Sequence, residues 1–208
     1  MIPGALDLGE GAWVLHRPGF VADPGPMLDA LVRTLPLRVE QLTILGRSVP
    51  TPRLTAWHGD PGCAYRYSGR LFEPAPFTSE LTALRAALHE ALGADFNSVL
   101  ANLYRDGRDA MGWHADDEPE LGPAAPDDVL IASLSLGATR RFAMRHRRRA
   151  GEPGHRHVFA LADGDLLVMG GTTQRRWQHC VPRTALPVGP RLNLTFRIRR
   201  TALSRTDR

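Results

Sequence analysis

Lysine is absent from this 208-residue chain, so all 26 of its basic residues are arginine. No single binding site requires such a bias, and coding bias is its simplest source. Cysteine is scarce too: Cys63 and Cys180 alone exclude a disulfide framework and a cysteine-rich zinc site, and they suit a reducing cytoplasm. No apolar run reaches the roughly 20 residues that cross a bilayer. The first residues, MIPGALDLGEGAWVLHRPG, lack a basic start followed by an unbroken apolar stretch, so no secretory leader is expected. Internal repeats and disordered linkers are also missing. One soluble domain over 1–208, able to bury a core without covalent staples, is the expectation.

What is present is charge of one sign. A net charge of +4 and a pI near 9.8 favour an anionic partner such as nucleic acid. Six arginines fall between Arg140 and Arg149. That run reads equally as a solvated strand edge or as a phosphate-contacting patch.

A first helix is expected after Asp23, with Pro24 in its first turn, Leu28, Leu31, Val32 and Leu35 on its apolar face and Pro36 as its stop. The segment 37–67 reads as hairpins punctuated by Pro50, Pro52, Pro61 and Gly62. A second helix is capped by Thr78 or Ser79, buries Leu81, Leu84, Leu88 and Leu92, and stops at Gly93. Strands then dominate: 98–104, 129–136, 141–145, 157–161, 165–169, 176–180 and 192–198. The fold class is mainly β with flanking helices, as in a β-sandwich or jelly-roll.

His114 and Asp116 stand two residues apart, so on an extended strand end they point the same way. Such a pair, with one more histidine, makes an iron(II) site that leaves coordination positions open. His146, His155 and His157 lie in or near the arginine-rich segment, whereas His179 lies on a predicted strand and is the better third ligand. Beyond it, Arg191, Asn193, Thr195 and Arg197 share one strand face, and Leu192, Leu194 and Phe196 share the other. A buried row of that kind needs an anionic partner. A small dicarboxylate fits, because guanidinium forks match carboxylates at two points.

With these blocks in view, the chain resembles the AlkB family of iron(II)- and 2-oxoglutarate-dependent dioxygenases. The likeness runs from about Leu45 to Arg197. It rests on Asn102-Leu103-Tyr104 with Gly107, on 112–118 (GWHADDE), on 131–137 (IASLSLG), on 164–169 (GDLLVM), on Trp177-Gln178-His179, and on 190–197 (PRLNLTFR). The resemblance implies a double-stranded β-helix core over about 96–200, preceded over about 1–95 by helices and a nucleotide-recognition lid. It implies Fe(II) on His114, Asp116 and His179. It also implies 2-oxoglutarate held by Arg191, Asn102 and Tyr104 with Asn193 and Arg197, and O2 as oxidant. Trp113 is read as core.

The implied activity is oxidative dealkylation of bases such as 1-methyladenine and 3-methylcytosine. A base buried in a stack must be extruded before its atoms can be reached. Tyr67 falls at the family's stacking position, Tyr65 can hydrogen-bond, and Glu118 can meet a cationic alkylated base. Leu45 and Arg53 resemble a lip that grips the nucleic acid. The loop 182–189 carries only Arg183 as a charge, which disfavours strong duplex grasp. Single-stranded DNA is therefore the favoured partner, with duplex DNA and RNA open, and the protein is expected to act as a monomer away from membranes. Other readings are an oxygenase of RNA, protein or small molecules, a cupin-like enzyme without cosubstrate, and a non-catalytic arginine-rich binding module.

Overall fold

The computed structural model describes residues 2–44, 47–67, 70–121, 128–147 and 154–199. Two strands, β1 (Leu6–Gly9) and β2 (Ala12–Arg17), lead into helix α1 (Pro24–Thr34). The hairpin β3 (Gln41–Ile44) and β4 (Arg47–Pro50), strand β5 (Leu54–Gly59) and the hairpin β6 (Tyr65–Tyr67) and β7 (Arg70–Phe72) precede helix α2 (Ser79–Leu92). Then come β8 (Ser98–Tyr104), β9 (Met111–His114), β10 (Ile131–Gly137), β11 (Arg140–His146), β12 (Arg156–Leu161) and β13 (Leu166–Gly171). A single helical turn, α3 (Thr173–Arg176), leads into β14 (Trp177–Val181), and β15 (Arg191–Arg197) follows.

A seven-stranded sheet runs β1-β2-β13-β10-β15-β8-β5 and a four-stranded sheet runs β12-β11-β14-β9, all of their pairings antiparallel. These are the two layers of a jelly-roll. Strands β1, β2 and β5 lie within the larger sheet, so that sheet crosses the expected boundary near residue 95.

Alternation decides what each face of the large sheet meets. Val99, Ala101 and Leu103 of β8, Leu134 and Leu136 of β10 and Leu192, Leu194 and Phe196 of β15 pack in one core cluster with Leu31 of α1 and with Leu81, Leu84 and Leu88 of α2. A second cluster lies between the sheets, where Ile131, Leu167 and Met169 meet Phe142, Met144, Trp177 and Val181.

Both helices begin and stop near the expected positions. Thr78 Oγ1 accepts the Leu81 amide, and Gly93 closes α2 in the left-handed region at φ 63°, which a residue without Cβ adopts freely. Asp23 takes the cap position of α1 without a side-chain hydrogen bond. Val32, expected on the buried stripe of α1, is 39% exposed; Leu31 and Leu35 carry the contact.

Candidate active site

Between the sheets, the polar face of β15 points away from the helices. Arg191, Asn193, Thr195 and Arg197 are all buried there, opposite the fully buried Leu192, Leu194 and Phe196. The central register sets them beside polar neighbours: Asn193 pairs with Ser135 of β10 and Asn102 of β8, and Arg191 pairs with Tyr104. Gly137, at φ 91°, lets the chain turn against β15; a Cβ there would lie 2.5 Å from the Pro190 carbonyl oxygen.

The metal-binding residue types come from the facing sheet. β9 and β14 pair His114 with His179 directly, and the two rings meet edge to face with centroids 4.2 Å apart. Asp116 follows two residues after the strand end. Ligand atoms of His114, Asp116 and His179 all lie within 4.8 Å of one another, the one such grouping of three among the described residues. His114 Nδ1 lies 2.9 Å from the Gly112 carbonyl oxygen, which can only accept, so Nδ1 carries the proton and Nε2 is left as ligand. Phe142 stacks on His179 at 5.2 Å. Burial and the neighbouring His114 hold the His179 pKa at about 3, so the ring is neutral, as ligation requires.

Burial pushes the Asp116 carboxyl up, but Arg197, His179 and His114 outweigh it and hold its pKa at about 2. Arg197 Nη2 lies 2.8 Å from Asp116 Oδ1. The Asp116 amide donates to Gln174 Oε1 at 2.9 Å. Gln174 sits on α3, 1% exposed, in a helical turn between the expected strands 165–169 and 176–180. Its neighbours Thr172, Thr173, Arg175 and Arg176 are polar as well, so nothing local sets Gln174 apart in the sequence.

Arg191 is 1% exposed. One of its terminal nitrogens, Nη2, donates to Ser135 Oγ at 2.8 Å and to Asn193 Oδ1 at 2.7 Å. Its Nε and Nη1 are buried and have no hydrogen-bond partner among the described residues. Burial lowers its pKa to about 10, so it remains cationic at neutral pH. Asn193 also accepts from Ser133 Oγ at 3.1 Å and donates to Thr195 Oγ1 at 2.9 Å. Its oxygen is thus filled by protein groups, Arg191 Nη2 among them. Ser133 and Ser135 were not singled out in the sequence, although their alternation with Ala132 and Leu134 points them at this row.

Asn102 and Tyr104 line the same cavity as the triad. Arg53 Nε donates to Asn102 Oδ1 at 2.8 Å, which leaves the amide nitrogen of Asn102 as a donor. Arg53 was expected on a lip gripping nucleic acid; it is 5% exposed and holds Asn102. Tyr104 is packed between two guanidinium groups, Arg191 at 5.5 Å and Arg140 at 5.6 Å from its ring. Arg140 donates to the carbonyls of Asp106, Asp109 and Pro182, tying the two loops beyond Tyr104 together.

Glu118 is brought to the edge of the same site. Its Oε1 lies 3.5 Å from Arg197 Nη1, and its Oε2 is buried without a partner among the described residues. Tyr65 and Tyr67 form β6, their side chains lie outside what is described, and Leu45 lies outside the described residues. The arginine run divides: Arg140 is buried, Arg141 and Arg145 face outward, and Arg147 pairs with Asp117 at 3.0 Å, while 148–149 are not described. Trp113, read as core, is half-buried on the outer face instead, beneath Arg145.

A family model described as "2OG-Fe(II) oxygenase superfamily" matches residues 27–197. The chain belongs to that superfamily. Within it, the chain falls among the AlkB proteins: it is 39% identical over 180 residues to "DNA oxidative demethylase ALKBH2" of Mus musculus, covering 81% of this chain and 74% of that protein. It is 38% identical over 203 residues to "Alpha-ketoglutarate-dependent dioxygenase alkB homolog 3" of Mus musculus and, likewise, of Homo sapiens. Those matches cover 95% of this chain and 64% of each relative, so the chain spans just under two thirds of their length. Among solved structures, that of OsALKBH1 has a TM-score of 0.58 at 18% identity, covering 93% of this chain and 99% of that one. The likeness to it is one of fold. As a superfamily member, the chain has a ligand set and an anion pocket that match the iron(II) and 2-oxoglutarate named in the family description.

Proposed function

We propose that this chain is an oxidative demethylase of N-alkylated bases in DNA, dependent on Fe(II), 2-oxoglutarate and O2. The observation that carries the reading is one juxtaposition. A His-Asp-His set, its Asp116 and His179 buried and its His114 half-buried, shares a cavity with polar residues of β8 and β15, and Arg191 behind them offers two unused buried donors among the described residues.

The residues fit the absent groups. Neutral His179, His114 through Nε2, and an ionised Asp116 are the donor set of a two-His-one-carboxylate iron site. Arg191 Nε and Nη1 are buried donors without an acceptor, which a carboxylate would supply. When bound, iron and 2-oxoglutarate supply oxidation of an N-alkyl carbon, coupled to decarboxylation of 2-oxoglutarate to succinate.

The chain's own residues bind, orient and exclude water. Arg191 takes the distal carboxylate of the cosubstrate, with Ser135 and Asn193 fixing its fork. Asn102, held by Arg53, and Tyr104 donate to the same molecule. Arg197 keeps Asp116 ionised, and Phe142 restrains the His179 ring. Glu118, with one buried oxygen lacking a partner, faces the positive charge of a 1-methyladenine or 3-methylcytosine ring. In this reading Tyr67 would stack on the extruded base, Tyr65 would hydrogen-bond to it and Leu45 would grip the strand. Residues 1–208 work as one catalytic unit.

Single-stranded DNA is the preferred partner, supported by the low charge of 182–189. The protein works as a monomer in a reducing cytoplasm, in keeping with its two free cysteines. Among the described residues no helix is long and apolar enough to cross a membrane.

The test incubates the protein with Fe(II), 2-oxoglutarate, O2 and oligonucleotides bearing 1-methyladenine or 3-methylcytosine, single-stranded and duplex, and reads the base by mass. Loss of the methyl group, faster on single strands, is the expected result. Succinate formation without base repair would leave an oxygenase acting on some other substrate.

A further inference from the structure

The outer face of the four-stranded sheet has no role in the chemistry above. Trp113 lies there, on β9, one residue before His114. Arg145 of β11 and Arg156 of β12 are register partners, and their guanidinium carbons lie 4.4 and 5.4 Å from the Trp113 ring centroid. Arg145 is fixed by Nε and Nη2, which both donate to Gln178 Oε1 at 3.0 and 2.8 Å. Arg141, four residues before Arg145 on the same strand, faces the same way and is exposed. Val158 of β12 adds an apolar surface, 49% exposed.

None of these three arginines has a carboxylate partner among the described residues. The acids nearby are already engaged: Asp117 with Arg147 at 3.0 Å, and Glu10 with Arg176 and His146, each at 3.3 Å. The two guanidinium groups on this indole, with Arg141 farther along the same face, therefore leave their charges open to an external anion. The aromatic component narrows its kind. Nucleobases stack on indole rings and on guanidinium planes, while their phosphates take the remaining cations. An acidic peptide would use the charges and leave the stack unused.

We propose that this face binds single-stranded polynucleotide, with phosphates on Arg141 and Arg156 and a base on the Arg145 and Trp113 stack. It holds nucleotides flanking the one delivered to the site between the sheets. This rests on the reading that the substrate is a nucleic acid. β9 is the edge strand of this sheet, so a strand lying on this face reaches the ligand set around that edge.

Fluorescence anisotropy of a labelled, unmodified oligothymidylate against metal-free protein, over a salt series, tests it without any catalysis. Arg145→Ala with Arg156→Ala is expected to weaken binding about tenfold or more. The slope of log affinity against log salt should fall by about 0.7 for each phosphate contact removed. Trp113→Ala should weaken oligothymidylate about tenfold and leave an abasic oligomer of equal length unaffected. Because Trp113 adjoins a ligand, Arg145→Gln serves as a second variant, with Arg33→Ala on α1 as an inert control. Unchanged affinity and slope in the arginine double variant would overturn the proposal. So would competition by polyglutamate equal to that of oligothymidylate. If the binding behaves as described and no alkylated base is repaired, the docking face stands and the proposed reaction falls.

Discussion

Arg197 Nη2 and Asp116 Oδ1 meet at 2.8 Å with both side chains 4–5% exposed, so a guanidinium and a metal-ligating carboxylate form a buried ion pair. Removing one partner of such a pair strands the other charge, at a cost of roughly 3–5 kcal/mol. Arg197→Met should destabilise the metal-free protein by about that amount. Asp116→Asn added to it should cost much less than it does alone. Urea denaturation of the four-member cycle measures the coupling.

Gln174 accepts the Asp116 amide hydrogen, which fixes the turn that carries the carboxylate. Partners of this kind typically alter metal affinity by about 10–100-fold. Gln174→Ala should weaken Fe(II) binding in that range under anaerobic equilibrium dialysis, with secondary structure retained by circular dichroism.

Arg191 has two unused buried donors. Hydrogen bonds to a charged group are each worth about 1.5–3 kcal/mol, so Arg191→Met should weaken 2-oxoglutarate by roughly a hundredfold or more in calorimetric titration. A 2-oxo monoacid lacking the distal carboxylate should bind wild type and variant alike.

Away from the site, Asp165 accepts from the amides of Gly19 and Ala162 and lies 2.9 Å from His16 Nε2. Burial raises the Asp165 pKa, but these hydrogen bonds outweigh it and leave the carboxyl below its ordinary value. A depressed carboxylate pKa contributes stability that is present above the unfolded value, about 3.9. That contribution is lost as pH falls through the folded value. The stability difference between wild type and Asp165→Asn should therefore be largest above pH ~5 and shrink below pH ~4, by denaturation at each pH.

The strands carrying the site were legible because their alternation is strict. β8 spans Ser98–Tyr104 as read, and β15 separates Arg191, Asn193, Thr195 and Arg197 from its leucines. Period alone does not say which layer a face meets. Trp113 reads as core because nothing local says that its face of the strand looks outward, and Arg53 reads as a gripping residue because nothing local announces that Asn102 lies beside it. Gln174 and Arg140 act through hydrogen bonds spanning 58 and more than 30 residues, respectively, and contact of that range leaves no periodic trace. Val32 fell on the expected stripe of α1, yet the helix packs through Leu31 and Leu35.

The most direct test of the central claim is the ratio of formaldehyde to succinate released from single-stranded oligonucleotide bearing 1-methyladenine, with His114→Ala as control. The account predicts one formaldehyde for each succinate formed in response to the methylated strand, and neither product from the variant. Succinate that forms at the same rate with methylated and unmethylated strands, with no formaldehyde, would contradict it.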